Sequence, residues 1–316
     1  MRAAVRVGMT MPRQVLPNQF YLVTRRTTQR MFLMTPSEET DNAFLYCVAE
    51  AAERFQIQVL LPQEMSNHHH TVVFDPHGRI IEFTAHFHKM FAKCMNALLG
   101  RSENFWSTDP PSIVLLADYE TVLRELAYTA ANPVLSHLVE RVDDWPGPAT
   151  YRALLDQQPI VATRPRFFFR EDGIMPKTIT LRLTIPSVVG ETGAVLKRLS
   201  ELVALAENDM RAERHRSGRG VVGRKNILRQ SRQASPVSVE PKRRLRPRFA
   251  AATRQLRNTL IRAQVAFIEA YQSARAAWLA KRKNALFPPG TYWLTRFAGA
   301  PASVGSREEW STSQAA

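Results

Sequence analysis

The sequence predicts an α+β protein: a ferredoxin-like antiparallel sheet with helices on one face, followed by a mainly helical, basic C-terminal extension. Two observations support this prediction. Within the first 151 of 316 residues, strand-like and helix-like periodicities follow each other in the order β-α-β-β-α-β, which is that of a split β-α-β unit. The net charge of +15, in turn, is concentrated late in the chain.

The first three elements are predicted at residues 18–24, 38–55 and 56–61. The run NQFYLVT at 18–24 is typical of a strand, and apolar residues at helical spacing indicate a helix over 38–55. Ser37 precedes several acidic residues, so it is a favourable N-cap for this helix. The alternation of QIQVLL at 56–61 predicts the second strand.

The third strand is predicted around residues 68–74, where β-branched and aromatic residues follow three histidines. Only a few residues separate it from the second strand, so the two should form an antiparallel hairpin. Residues 79–99 show helical periodicity and end at Gly100, a natural C-terminal cap. The run SIVLL at 112–116 predicts the fourth strand.

A further helix is predicted over residues 118–131. We expect it to stop near Asn132 and Pro133, because proline disfavours helical geometry in the residue before it.

The pattern changes beyond residue 151. The predicted features there are a linker at 163–165, one exposed strand at 178–185, a helix at 190–216, a loop at 217–247 and a long helix at 250–283. The predicted domains are therefore residues 11–151 and 152–300, with a disordered tail at 301–316.

Most of the positive charge lies between residues 211 and 283, where 20 Lys and Arg stand against three acids. That segment has a net charge of +17, so the remaining residues sum to −2. A concentrated basic stripe suits a polyanion, above all nucleic acid, although a solvated basic helix surface is the alternative. The predicted DNA-binding residues are Arg243, Arg244, Arg246, Arg248, Arg254 and Arg257.

Bulk features predict a cytoplasmic protein without a membrane partner. No run approaches the ~18 apolar residues of a membrane span, and residues 1–11 lack the apolar core of a signal peptide. Cys47 and Cys94 lie in apolar helical contexts, which indicates buried thiols in a reducing compartment.

Three consecutive histidines open the third predicted strand. Side chains alternate along a strand, so His68 and His70 point the same way and His69 points into the opposite layer. Two imidazoles aimed at one point form half of a divalent-metal site. A His-x-His pair is a weak motif by itself, and a solvated polar strand end remains the alternative.

The helix at 118–131 adds a phenol and a carboxamide. Tyr128 and Asn132 are four residues apart and therefore share one helix face. A lone helical tyrosine is most often a packed aromatic residue. With His68 and His70 on a neighbouring strand, however, the amide oxygen could complete a site for Mg²⁺ or Mn²⁺. The phenol could then attack a phosphodiester polarised by that metal.

Three blocks of the first half resemble those of the REP-associated tyrosine transposases, part of the single-tyrosine HUH group that works on single-stranded DNA. In order, the blocks are Tyr21-Leu22-Val23-Thr24-Arg25-Arg26, Met65-Ser66-Asn67-His68-His69-His70 and Tyr128-Thr129-Ala130-Ala131-Asn132-Pro133-Val134. The resemblance covers residues 11–151. It implies that His68, His70 and Asn132 bind the metal and that Tyr128 is the nucleophile.

The resemblance also implies an activity: nicking and transfer of hairpin or repeat DNA through a covalent 5′-phosphotyrosine, by a monomer or a homodimer. One position departs from the family, which has a hydrophobic residue where this chain has His69. Because His69 faces away from the metal, we expect metal binding to survive, provided that the buried imidazole finds a hydrogen-bond partner. The alternatives are a non-catalytic (domesticated) nucleic-acid-binding protein and an RNA-processing enzyme.

Overall fold

The computed structural model describes residues 12–237 and 247–303, and this part of the chain contains seven strands and eight α-helices. The strands are β1 (Gln19–Arg26), β2 (Gln58–Met65), β3 (His68–Asp75), β4 (Ser112–Leu116), β5 (Ile160–Thr163), β6 (Thr178–Leu181) and β7 (Phe249–Ala250). The helices are α1 (Glu38–Phe55), α2 (Ile80–Leu98), α3 (Tyr119–Leu135), α4 (Thr150–Leu155), α5 (Thr192–Ser217), α6 (Arg224–Leu228), α7 (Arg254–Leu279) and α8 (Trp293–Ala298).

The main sheet has the strand order β2-β3-β1-β4-β7. Its first four strands are antiparallel to their neighbours, and the short β7 joins parallel to β4. The predicted connection order β1-α1-β2-β3-α2-β4 is observed. On one face, Phe44 of α1 and Phe87 of α2 contact the ring of His69. On the other face, Tyr128 of α3 contacts His70. The fold is α+β, with α1 and α2 on one face as predicted and α3 on the opposite face.

Local signals account for the ends of these elements. The hydroxyl of Ser37 accepts a hydrogen bond from the backbone N–H of Thr40 (3.2 Å), so the predicted N-cap of α1 is confirmed. Gly100, with φ +61°, follows α2 in the left-handed conformation that glycine adopts without strain. β2 and β3 form the predicted hairpin, with Ser66 and Asn67 between them.

The prediction that α3 stops before Pro133 is wrong, since α3 continues to Leu135. Proline lacks an N–H, which removes one hydrogen bond within the helix. The position lies in the last turn, and residues 129–134 are all buried, so packing maintains the helical geometry that the local sequence disfavours. Asn132 therefore stays inside the helix, one turn after Tyr128.

The loop predicted at 217–247 contains a helix and is anchored to the first half of the chain. Ile227 in α6 is fully buried. The backbone N–H of Phe32 donates to the carbonyl of Ala234 (2.9 Å), and Arg232 donates to the hydroxyl of Thr40 (3.1 Å). Polar anchors of this kind leave no periodic pattern in the sequence.

The linker predicted at 163–165 and the exposed strand at 178–185 are also corrected. β6 pairs with β5 in a separate two-stranded sheet, and Ile179 and Leu181 are buried. Asn42 of α1 holds this hairpin, because its side chain donates to the Thr163 carbonyl and accepts from the Thr163 N–H (both 2.8 Å).

The chain divides into two compact units, one comprising Asn18–Ala250 and the other joining Met1–Pro17 to Ala251–Ala316. The units do not separate near residue 151, where the sequence suggested a boundary, because α5 packs along α3 and the β5–β6 hairpin packs against α1.

The smaller unit contains α7 and α8, and α7 lies within the helix predicted over 250–283. Its core is formed by Ala274, Phe287 and Ala300, with Tyr271, Trp278, Leu294 and Ala302 packed against them. Of the predicted tail, residues 304–316 lie outside the described part of the chain. Among the described helices, none has the length and apolar character needed to cross a bilayer.

Two acidic side chains, Asp41 and Glu64, lie in surroundings that disfavour the charged form of a carboxyl group. Glu64 of β2 is buried, and its two carboxylate oxygens have no hydrogen-bond partner among the described residues. Burial raises the pKa of Asp41 in α1 to about 7, against an opposing hydrogen bond from the Ser37 backbone. Burial, followed by the charge of Asp41, raises the pKa of Glu64 well above its ordinary value.

These shifts predict that the two carboxyl groups contribute less stability as the pH rises. A carboxyl group with a raised folded pKa stabilises the fold at low pH, and this contribution is lost between its unfolded pKa and its folded pKa. The contribution of these two carboxyl groups to the free energy of unfolding should therefore fall between about pH 4 and pH 7, while the buried histidines with lowered pKa values contribute a change of opposite sign. Asp41→Asn should remove part of this fall and stabilise the protein at pH 7.5 by at least about 1 kcal/mol.

Urea denaturation across this pH range measures the effect, with Asp172→Asn, which changes an exposed carboxylate, as the control. A pH profile of Asp41→Asn that parallels the wild type would contradict the assignment.

Candidate metal and nucleophile site

The four residues singled out from the sequence come together on one face of the sheet. The rings of His68 and His70 on β3 have centroids 5.0 Å apart, and the rings of His70 and Tyr128 have centroids 5.5 Å apart. The amide nitrogen of Asn132 lies 3.4 Å from Nε2 of His70. A strand and a helix that are far apart in sequence thus place two imidazoles, a carboxamide and a phenol side by side.

Neighbouring polar groups fix which nitrogen His68 offers. Its Nδ1 lies 2.7 Å from the side-chain oxygen of Asn67. The amide nitrogen of Asn67 donates to the carbonyl of Arg30 (3.0 Å), so the carboxamide must present its oxygen to His68. Nδ1–H of His68 is therefore the donor, and its Nε2 keeps a free lone pair.

The same logic applies to His70. Its Nδ1 lies 3.1 Å from the hydroxyl of Thr24, which is its register partner on β1. Because Nε2 faces the amide N–H of Asn132, Nε2 is the acceptor, and Nδ1–H donates to Thr24. Polar groups that hold the outer nitrogen of a ligating histidine are typical of metal sites.

The sequence interpretation missed the roles of Asn67 and Thr24. Both residues stand within the blocks that resemble the transposases, and Asn67 directly precedes the histidines. Their function depends on side-chain hydrogen bonds across strands, which spacing along the chain does not reveal.

Both imidazoles are neutral at physiological pH. Burial, together with the positive charge of Arg26, lowers the pKa of His68 to about 3. Burial, and then the charges of His68 and Arg26, lower the pKa of His70 well below its ordinary value. Metal ligands must be unprotonated, so both rings are ready to bind a cation without first releasing a proton.

The donor set fits a small divalent cation. The side-chain oxygen of Asn132 is buried and has no hydrogen-bond partner among the described residues. An orphaned buried oxygen is costly, and a bound cation would satisfy it. No three His, Cys, Asp or Glu side chains cluster as a metal site within residues 12–237 and 247–303, so the third protein donor here is the amide oxygen.

Tyr128 is the member of the group that reaches solvent, with 44% of its surface exposed. Burial of the rest of the side chain and the nearby charge of Glu125 raise the pKa of its phenol, while a hydrogen bond with Asn132 opposes the shift. The hydroxyl is therefore protonated at neutral pH, accessible from outside, and next to the imidazole pair.

His69 meets the requirement set for it by the sequence, since its ring is fully buried and hydrogen-bonded at both nitrogens. Nδ1 lies 2.9 Å from the hydroxyl of Thr71, and Nε2 lies 2.8 Å from Nε2 of His88 on α2. If His88 donates from Nε2, only a lone pair on its Nδ1 stays unpaired, which costs less than a buried unpaired N–H. His86, two residues earlier on α2, is not part of this pair, and its Nε2 lies 2.6 Å from a carboxylate oxygen of Glu50.

Three of the six predicted DNA-binding arginines belong to the described residues. Arg248 is exposed just before β7, and Arg254 and Arg257 are exposed on α7. The remaining three, Arg243, Arg244 and Arg246, lie outside the described residues.

No model of a protein family matches the chain, and no curated protein matches it. Solved structures that are similar to this chain include the following two. One is a REP-associated tyrosine transposase bound to a REP hairpin, with 14% identity, a TM-score of 0.39, and coverage of 58% of this chain and 97% of that chain. The other is a putative transposase from Deinococcus radiodurans R1, with 14% identity, a TM-score of 0.27, and coverage of 34% of this chain and 85% of that chain.

The hydrogen bonds to Nδ1 give a test of the metal site. Asn67→Ala or Thr24→Val should lower the affinity for Mn²⁺ by about 10- to 100-fold, because each change frees one imidazole to rotate or to change tautomer. Isothermal titration calorimetry measures the affinity. His77→Ala, which removes an exposed histidine outside the site, is the control and should bind Mn²⁺ like the wild type. Equal affinities in all four proteins would rule out the proposed ligand arrangement.

The buried histidine pair gives a second test. His69→Leu and His88→Leu each leave a buried ring nitrogen without its partner, so each should destabilise the protein by about 1–3 kcal/mol. The loss of unfolding free energy in the double variant should be smaller, by about 1 kcal/mol or more, than the sum of the losses in the two single variants. Urea denaturation measures this cycle, and His69→Leu combined with His86→Leu is the comparison, which should be additive. If the free-energy losses of His69→Leu and His88→Leu simply add, the contact between the two rings contributes nothing to stability.

Proposed function

We propose that the chain is a transposase-like enzyme that cuts and rejoins single-stranded DNA through Tyr128, with a divalent metal ion held by His68, His70 and Asn132. The single observation that supports this best is the proximity of an accessible phenol to two neutral imidazoles and an orphaned amide oxygen. The substrate class, a strand with a hairpin or repeat end, follows from the sequence resemblance.

The proposed metal is Mg²⁺ or Mn²⁺. His68 and His70 would bind it through Nε2 and Asn132 through its side-chain oxygen. When bound, the ion would polarise a phosphate oxygen and offset the negative charge that develops during the reaction.

Tyr128 performs the covalent step. Its oxygen forms a bond to the scissile phosphorus while the bond from phosphorus to the 3′-oxygen breaks. The phenol loses its proton, the departing 3′-oxygen gains one, and the 5′-phosphate remains attached to the tyrosine. A second 3′-hydroxyl can reverse the step, which restores the phenol and joins a new pair of strands without a nucleotide cofactor.

The other residues position this phenol. Asn132 lies one helical turn from Tyr128 and hydrogen-bonds its hydroxyl, and its amide nitrogen lies 3.4 Å from Nε2 of His70, so one side chain links the nucleophile to the imidazole pair. The raised pKa keeps the phenol protonated at neutral pH, so its proton has to leave during the attack on phosphorus.

The proposed location is the cytoplasm. Cys47 and Cys94 are buried free thiols with sulfur atoms 3.9 Å apart, as expected in a reducing compartment.

The direct test is a covalent adduct. Single-stranded oligonucleotides with a hairpin, incubated with Mn²⁺, should yield a protein–DNA species that survives denaturing electrophoresis. Tyr128→Phe should abolish it, because phenylalanine keeps the ring and removes the nucleophile. Tyr271→Phe, which keeps the packing of its ring against Phe287 in the other unit, should form the adduct normally.

The alternatives give different results in the same experiment. A non-catalytic binding protein would bind the hairpin equally well before and after Tyr128→Phe and His70→Ala, and no adduct would form. Cleavage of RNA but not DNA would favour the RNA-processing alternative.

A further inference from the structure

A basic cavity lies where the end of α5 meets the chain that follows α3. It measures about 250 Å³ and is lined by Glu140, Arg211, Arg214, His215, Arg219, Gly220 and Val221. Three guanidinium groups and one carboxylate line it, so its walls carry a clear excess of positive charge.

Arg214 is the unusual member of this group. Its side chain is buried, with 8% exposure, yet Nη1 has no hydrogen-bond partner among the described residues. An unpaired N–H of a buried guanidinium group is costly, and an anion in the cavity would offset that cost.

Stabilisation of the α5 C-terminus by basic residues does not explain this arrangement. Cations in the last turn of a helix interact favourably with its terminal carbonyls. That effect operates equally well from exposed side chains such as Arg216, whose Nε donates to the Ala212 carbonyl. It requires neither burial of Arg214 nor the approach of Arg219 from outside the helix.

The cavity wall is fixed in place by hydrogen bonds. The backbone N–H groups of Val222 and Gly223 donate to the carbonyls of His137 and Leu138 (3.0 and 2.9 Å), and Arg219 lies 3.2 Å from Nε2 of His137. The segment with Arg219 is therefore tied to the end of α3, and the site is formed before a ligand arrives.

The cavity is linked to the helix that carries the nucleophile. Tyr128 lies in α3, and Glu140, which lines the cavity, follows the end of this helix at Leu135. The backbone hydrogen bonds to His137 and Leu138 tie the rest of the cavity wall to the same stretch of chain.

We propose that this cavity binds a backbone phosphate of the DNA strand other than the phosphate that Tyr128 attacks. This inference rests on the proposed function for its choice of DNA. A volume of 250 Å³ is below the range of about 300–1,000 Å³ that is typical of sites for whole small molecules, so it suits one phosphate group. Arg214 supplies the buried contact, and Arg211 and Arg219 supply exposed charge.

DNA binding in a protein that cannot cut tests this proposal. In a Tyr128→Phe background, fluorescence anisotropy measures the affinity for a labelled single strand with a hairpin at several salt concentrations. Arg211→Gln combined with Arg219→Gln should weaken binding on the order of tenfold, as expected for loss of charge-assisted hydrogen bonds. The slope of log affinity against log salt should also fall by about 0.7, the value for one phosphate on a single strand.

The matched control is Arg198→Gln combined with Arg216→Gln. These arginines are exposed on the same helix, carry the same total charge and do not line the cavity. The control should change affinity much less. Equal losses in the two double variants would overturn the proposal, because they would reflect net charge alone.

Arg214→Met gives an independent reading, since methionine fills much of the same space without charge. It should weaken DNA binding while the thermal unfolding temperature stays the same or rises. If Arg214→Met fails to fold, the Arg211/Arg219 double variant still tests the proposal, because both of its substitutions are at exposed positions that should not disturb folding.

A further measurement distinguishes free phosphate from a DNA phosphate as the ligand of the cavity. Inorganic phosphate could raise the unfolding temperature of the wild type but not that of the Arg211/Arg219 variant, while both double variants bind DNA equally well. In that case the cavity holds a free anion, and the DNA assignment fails. With Tyr128 intact, the Arg211/Arg219 double variant should form as much covalent adduct as the wild type at saturating DNA and less at limiting DNA.

The two proposals can fail independently. If the wild type forms no adduct, the proposed function is wrong. A loss of DNA binding that is specific to the Arg211/Arg219 variant would still support the phosphate site.

Discussion

The candidate site depends on the alternation of side chains along β3 and on the register that fixes it. β3 lies between β1 and β2, with Thr24 opposite His70 and Glu64 opposite His69. A slip of one residue would exchange the faces, bury His68 and His70 among aromatic rings, and turn His69 toward α3. The His69–His88 hydrogen bond on one face and the Asn67 and Thr24 contacts on the other both oppose such a slip. Three neighbouring histidines therefore have two different surroundings.

α3 completes the site because it remains helical through Pro133. Asn132 is buried near the end of the helix, with its amide nitrogen 3.4 Å from Nε2 of His70 and one turn after Tyr128. A helix that ended at Ala131, as the local sequence favours, would release this side chain from the face it shares with Tyr128. The packing of α5 along α3 holds the helix on the sheet, and the end of α5 forms the basic cavity. α5, which lies beyond the predicted first domain, thus supports the helix that carries Tyr128 and Asn132.

Strong periodicity and end signals allowed the sequence to predict the β-α-β-β-α-β order, the hairpin, both helix caps in the first half and the face that His68 and His70 share. The local rule for Pro133 failed because tertiary packing overrode it. The β5–β6 hairpin and the segment around Arg232 were missed because single polar anchors hold them, through Asn42 and Thr40. The roles of Asn67 and Thr24 were missed for the same reason, since they arise only when strands lie side by side.

The central claim is that one cation binds to Nε2 of His68, Nε2 of His70 and the side-chain oxygen of Asn132, next to the Tyr128 hydroxyl. Anomalous diffraction from crystals soaked in Mn²⁺ tests it most directly, because the metal position is read without assumptions about its ligands. The account predicts one strong peak within bonding distance of these three atoms. A peak bound through Nδ1 of either histidine, a peak elsewhere on the protein, or no peak at saturating Mn²⁺ would contradict it.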